Sequence, residues 1–125
     1  MSRIFTSRFS NKALADMKNT KFIAIARGLP RFKTAFQIDE QFMLIAPSWG
    51  LVKETDPDCY NIKYRNQLNY TGVETIEREF FRLSEEGKYD IVLLCYEDVS
   101  KDWCHRRMFA DWWLEECGEP IDEIW

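Results

Sequence analysis

The chain has 125 residues, read here as a single domain over 1–125, with a formal net charge of −4 and a pI near 5.1. Hydrophobic residues make up 46% and aromatic residues 15%, which excludes a disordered chain. The acidic balance excludes a broad basic footprint for duplex nucleic acid. It leaves room only for a local basic pocket, if the fold gathers Arg8, Arg27, Arg31, Arg106 and Arg107.

The first residues, MSRIFTSRFSNKALADMK, lack the apolar stretch of an export signal. No apolar run approaches the roughly 20 residues of a membrane span. A cytoplasmic location without a membrane partner is therefore expected. There the four cysteines are expected as reduced thiols rather than a disulfide frame.

In chain order, residues 3–6 predict a first strand and Asn11 to Met17 a short helix with Leu14 and Met17 inward. Phe22 to Ala26 is a continuous apolar run, as in a strand covered on both faces. It stops at the breaker Arg27-Gly28-Leu29-Pro30. Phe42 to Ala46 reads either as a strand or as buried loop, and Pro47 to Gly50 as loop. Asp56-Pro57 predicts a helix start, with Tyr60, Tyr64 and Leu68 on one face. Thr71-Gly72-Val73-Glu74 has the pattern of a capping box opening the next helix. Val73, Ile76, Phe80 and Leu83 form its apolar stripe and Gly87 its stop.

Tyr89 to Tyr96 is the strongest strand signal, followed by a loop over Glu97 to Asp102. A last helix is expected from about Trp103 to Glu116, with Met108, Phe109, Trp112 and Trp113 inward and Gly118 as its end. Ile121 to Ile124 reads as a closing strand. The alternation predicts an α/β fold, a small Rossmann-like domain with a mostly parallel sheet flanked by helices. In such sheets ligands sit beyond the carboxyl ends of the strands. That rule brings Thr6-Ser7, Arg27, Cys95-Tyr96-Glu97 and Cys104-His105-Arg106 to one edge.

Three chemistries fit this group. Anion binding is the first: a helix N-terminus offers unpaired N–H groups, Arg106 adds a planar fork and His105 a donor. Thiol chemistry is the second: Cys104, near a helix start beside His105 and Arg106, or Cys95 at a strand end, is a candidate nucleophile or acid. Glu97 is a candidate general base. The anion-cradling loop of cysteine phosphatases needs an arginine on the loop itself; position 101 is Lys and the first Arg is Arg106, so that cradle is absent. Metal binding is the third, because Cys95, Cys104 and His105 are zinc ligand types. Against it, adjacent helical residues point about 100° apart, and no fourth ligand is evident. No metal is assigned on these grounds.

Plainer readings stand beside these. Free cysteines are commonly buried packing residues, which serves for Cys95 and Cys104, and Cys59 and Cys117 read as structural. A lone histidine more often serves structure than catalysis. Arg106-Arg107 reads equally as a solvated pair, and Asp111, Glu115 and Glu116 as a wet face. Arg27 is either a sheet-end charge or a ligand clamp, with position favouring the clamp.

Ile23-Ala24-Ile25-Ala26-Arg27 with Pro30, then Leu93-Leu94-Cys95-Tyr96-Glu97, then Cys104-His105-Arg106 with Phe109-Ala110 and Trp113-Leu114, and finally Gly118 with Ile121-Asp122-Glu123, resemble the domain-of-unknown-function family DUF-488. The likeness runs from Ile4 to Ile124. It implies a compact Rossmann-like domain with Arg27, Cys95, Cys104, His105 and Arg106 at the family's motif positions. It implies little about activity, beyond an association with nucleotide or nucleic-acid contexts. Ala26-Arg27-Gly28 departs from the Ser-Arg-Ser type of sequence common in that family, so the polar support of Arg27 differs here.

The resulting expectation is an enzyme directed at a nucleotide or a nucleic-acid base. Arg27, His105, Arg106 and Ser7 would bind the anion, and Cys104, Cys95 and Glu97 would do the chemistry. The alternative is a non-catalytic nucleotide sensor or small accessory or inhibitor protein. Cofactor and oligomeric state are left unassigned.

Overall fold

The computed structural model describes residues 2–97 and 102–125. Five strands, β1 (Ile4–Arg8), β2 (Thr20–Ala24), β3 (Glu40–Gln41), β4 (Asp90–Cys95) and β5 (Asp122–Glu123), form one sheet. Its order is β3-β2-β4-β1-β5 and every pairing is parallel. The helices are α1 (Trp49–Val52), α2 (Pro57–Thr71), α3 (Val73–Leu83) and α4 (His105–Cys117). This is the expected α/β architecture.

β4 lies at the centre because Ile91 to Cys95 can be buried on both faces, and all five are fully buried. Its register pairs Ile4 with Ile91 and Arg8 with Cys95 on one side, and Thr20 with Asp90 and Ala24 with Leu94 on the other. Side chains alternate between faces. Ile91 and Leu93 pack with Ile23 and with Phe80, Phe109 and Trp113 of the helices. Val92 and Leu94 pack with Phe9, Leu14 and Phe22. Cys95 and Cys104 join this second cluster.

The α2 start follows the predicted mechanism: Asp56 accepts from the Asp58 N–H, Pro57 is the first helical residue, and Tyr60, Tyr64 and Leu68 are buried. Gly118 closes α4 in the left-handed conformation. Elsewhere the boundaries differ from expectation. The short helix after β1 is a 3-10 turn over Lys12–Asp16. Phe42 to Ala46 is mostly a 3-10 turn, Met43–Ile45, beside the two-residue β3. Part of the expected loop at 47–50 opens the one-turn α1.

The capping box does not form. Thr71 still belongs to α2 and donates its hydroxyl to the Gln67 carbonyl. Gly72 caps α3 without a side-chain bond. α3 ends at Leu83, before Gly87, because Glu85, Glu86 and Gly87 all take positive φ. Cys59 and Cys117 are free thiols and exposed. Among the described residues, no helix is long and apolar enough to cross a membrane.

Candidate functional site

β4 ends at Cys95 and α4 begins just after Cys104, so both cysteines reach the carboxyl edge of the sheet. Most of the loop between them, 98–101, lies outside the described residues. Cys104 is not helical. It is the N-cap of α4, with extended backbone at φ −148° and ψ 144°, and its side chain caps nothing. The expected start at Trp103 was therefore two residues early. With Cys104 extended and His105 opening the helix, their side chains converge: His105 Nδ1 lies 3.9 Å from Cys104 Sγ. The angular objection to their sharing a ligand fails for this reason.

The sulfurs of Cys95 and Cys104 are paired at bonding distance, on Cα atoms 7.8 Å apart. The expectation of four reduced thiols is corrected at this one pair. Relaxed disulfides span Cα separations of about 4.4–6.8 Å, so this backbone is wider than a disulfide ordinarily bridges. The ligating atoms of Cys95, Cys104 and His105 all lie within 4.8 Å of one another, and all three residues are buried.

His105 Nε2 sits 2.7 Å from the Ile25 carbonyl, an acceptor only. Nε2 therefore carries the proton and Nδ1 is left as a lone pair. Burial, reinforced by Arg106 against the Ile25 hydrogen bond, pulls the His105 pKa down to about 4. The imidazole is thus neutral at physiological pH and is no cationic anion-binder.

Arg106 is fully buried, not half of a solvated pair. Its Nε and Nη2 donate to the two Glu123 carboxylate oxygens at 3.0 and 2.9 Å. Its Nη1 donates to Cys95 Sγ at 3.1 Å. A bidentate carboxylate already occupies the fork, so Arg106 holds Glu123 and supports the Cys95 sulfur rather than an incoming anion. Arg107 is likewise used within the fold, donating to Thr6 Oγ1 and the Ile121 carbonyl. Ser7 donates to the Ile124 carbonyl at 2.7 Å and accepts from Asn11. It ties down the segment after β5 and does not line the site.

A cavity of about 280 Å³ opens above the cluster, lined by Arg27, Tyr60, Glu97 and Trp103 as well as by Cys95, Cys104 and His105. Glu97 Oε2 lies 3.4 Å from Cys95 Sγ. Tyr60 meets Trp103 edge-on at 4.7 Å; burial, helped by Glu97, raises the Tyr60 phenol well above its ordinary pKa. Arg27 is half-buried. Its Nε donates to the Pro47 carbonyl at 2.6 Å, and its guanidinium carbon stands 5.4 Å from the Trp49 ring centre. Among the described residues no carboxylate pairs with Arg27. Sequence reasoning missed Tyr60 and Trp103 as cavity walls, because a buried aromatic at helical spacing carries the same signal as core. It also missed Glu123 as the partner of Arg106.

A wider cleft of about 460 Å³ lies at the opposite edge among Ile4, Phe80, Trp113 and Glu119. It has no thiol or imidazole in its lining, so chemistry assigns the candidate site to the smaller cavity. No protein-family model, no curated protein and no solved structure matches this chain.

Proposed function

We propose that the chain is an enzyme acting on a nucleotide, or on a base within nucleic acid, bound in the cavity at the carboxyl edge. One observation carries this reading: on the cavity floor, Cys95 Sγ stands 3.1 Å from the Arg106 guanidinium and 3.4 Å from the Glu97 carboxylate. A buried cation beside a thiol favours the thiolate, and a carboxylate beside it can take a proton. Cys95 or Cys104 is the nucleophile or acid, and Glu97 the base. Tyr60 and Trp103 offer flat apolar walls to a base. Arg27, without a carboxylate partner among the described residues, is the residue left to meet a phosphate.

The cavity, about 280 Å³, is at the low end of small-ligand sites, about 300–1,000 Å³, which suits one ring rather than an extended ligand. A cytoplasmic setting, where thiols stay reduced, belongs to this reading, as does kinship with DUF-488. The paired sulfurs favour a second reading. In that state neither sulfur is a nucleophile, and the protein would be a nucleotide sensor without turnover.

The test uses reduced protein, a panel of nucleotides with their nucleosides, calorimetry for binding and mass spectrometry for products. Arg27→Ala is expected to weaken nucleotide binding by tenfold or more, about what one charge-assisted hydrogen bond supplies, and to spare the nucleosides. Product formation is expected to be lost in Cys95→Ser or in Cys104→Ser, according to which sulfur is the nucleophile. Ligand returned intact by the wild type selects the sensor. Absence of any binding across the panel refutes both readings.

A further inference from the structure

We propose that reduced Cys95 and Cys104, together with His105, bind a thiophilic divalent cation, zinc by the character of the ligands, with a fourth position facing the cavity. Two thiolates and one imidazole form a borderline-soft donor set. Their ligating atoms already lie within 4.8 Å of one another. Zinc bonds of about 2.3 Å to sulfur and 2.0 Å to nitrogen, at a tetrahedral angle, put ligand atoms about 3.5–3.8 Å apart. The Cys104–His105 edge, at 3.9 Å, is close to that. The Cys95–Cys104 backbone separation of 7.8 Å leaves room for the sulfurs to part around an ion.

The surroundings fit a metal centre as well. Histidines that ligate metals usually donate their other ring N–H to a carbonyl or carboxylate, which fixes the tautomer. His105 has that bond, to Ile25. Cys104 spends its sulfur on no helix cap. Cys95 receives the third nitrogen of Arg106, as an outer hydrogen bond to a metal thiolate would.

Charge points the same way. Glu123 already takes two Arg106 nitrogens, and Glu97 adds a negative charge beside Cys95. Two buried thiolates here exceed the one cation in contact with them, and a divalent ion supplies what is missing. Loading is a proton exchange: Zn²⁺ and two thiols give the bis-thiolate complex and two protons, with no change of oxidation state. Because all three ligands line the cavity, the fourth position is open to water, to substrate or to Glu97, as in catalytic rather than structural zinc sites.

The inference goes beyond the nucleotide reading and needs no substrate. The metal-loaded state excludes sulfur pairing and takes both thiols out of nucleophilic service.

The test is titration of phosphine-reduced, desalted protein with Co²⁺, followed by displacement with Zn²⁺. The expected result is thiolate-to-cobalt charge-transfer absorption with tetrahedral ligand-field bands, saturating at one ion per chain and lost on adding zinc. The charge-transfer intensity should fall by about half in Cys104→Ser, with affinity about a hundredfold weaker, and vanish in the Cys95→Ser/Cys104→Ser variant. A Cys59→Ser/Cys117→Ser variant, altered only at exposed thiols, should match the wild type. Absence of charge-transfer bands in the folded, reduced wild type overturns the inference without recourse to any variant. Bands that persist without Cys95 and Cys104, or that disappear without Cys59 and Cys117, also overturn it. Nucleotide binding measured on the same samples separates the proposals: binding without cobalt bands removes the metal alone, and cobalt bands without binding remove the nucleotide alone.

Discussion

The two edges of the sheet are built on different principles. At the amino edge, Ile4, Phe80 and Trp113 meet as apolar packing, and the Arg3–Asp122 ion pair lies outside it with both side chains about two-thirds exposed. At the carboxyl edge the buried material is polar: Arg106, Glu123, His105 and two cysteines pack with hardly any access to water. Apolar packing is non-directional and tolerates adjustment. A buried polar cluster holds only while every member is satisfied. The carboxyl edge is thus specified by pairing and the amino edge by volume.

Breaking one member at each edge gives the largest effects. Arg106→Met leaves the Glu123 carboxylate buried without its cation and should cost about 3–5 kcal/mol. Trp113→Ala opens a cavity in the aromatic cluster and should cost a similar 3–5 kcal/mol. The edges separate on rescue. Adding Glu123→Leu to Arg106→Met should recover most of the loss, because no unpaired charge remains. Urea unfolding of both single variants and the double variant measures this, and a double variant no better than Arg106→Met would contradict it.

pH sharpens the contrast. Burial keeps His105 neutral in the folded protein down to about pH 4, whereas an imidazole in the unfolded chain has the ordinary value of about 6.5. Between those values the unfolded chain takes up the proton and the folded one does not. The metal-free protein should therefore be at full strength above pH 6.5 and lose about 3 kcal/mol by pH 4, at about 1.36 kcal/mol per pKa unit. His105→Asn should flatten that dependence in paired urea titrations at pH 7.5 and 4.5. The smallest effect belongs to the exposed pair. Arg3→Ala should change stability by less than about 1 kcal/mol, and a larger loss in the same assay would mean that the amino edge also depends on charge.

Much of the fold was legible because its signals are local. A buried central strand announces itself as the apolar run Ile91 to Leu94, and α2 by Asp56-Pro57 with Tyr60, Tyr64 and Leu68. The capping box misled because Thr71, which fits the pattern, is held by the preceding helix. The site was legible in its membership but not in its roles. Cys95, Glu97, Cys104 and His105 were expected together and lie together, whereas Ser7 and Arg106 serve the C-terminal strand region instead. Nothing local shows that Glu123 faces Arg106, since β5 is only two residues long. The start of α4 was misplaced by two residues, and that shift alone set Cys104 and His105 on diverging directions. Their convergence depends on one extended N-cap residue, a detail that periodicity does not encode.

The position of β1 has a consequence for synthesis. Its neighbours are β4 and β5, and Thr6 bonds to Glu123 across 117 residues. A chain growing from its amino end holds β1 without either partner until most of the sequence has been made. The Arg106–Glu123 pair, 17 residues apart in sequence, likewise cannot close before β5 has been made, so both partners of β1 and the neutralising carboxylate belong to the last part of the chain.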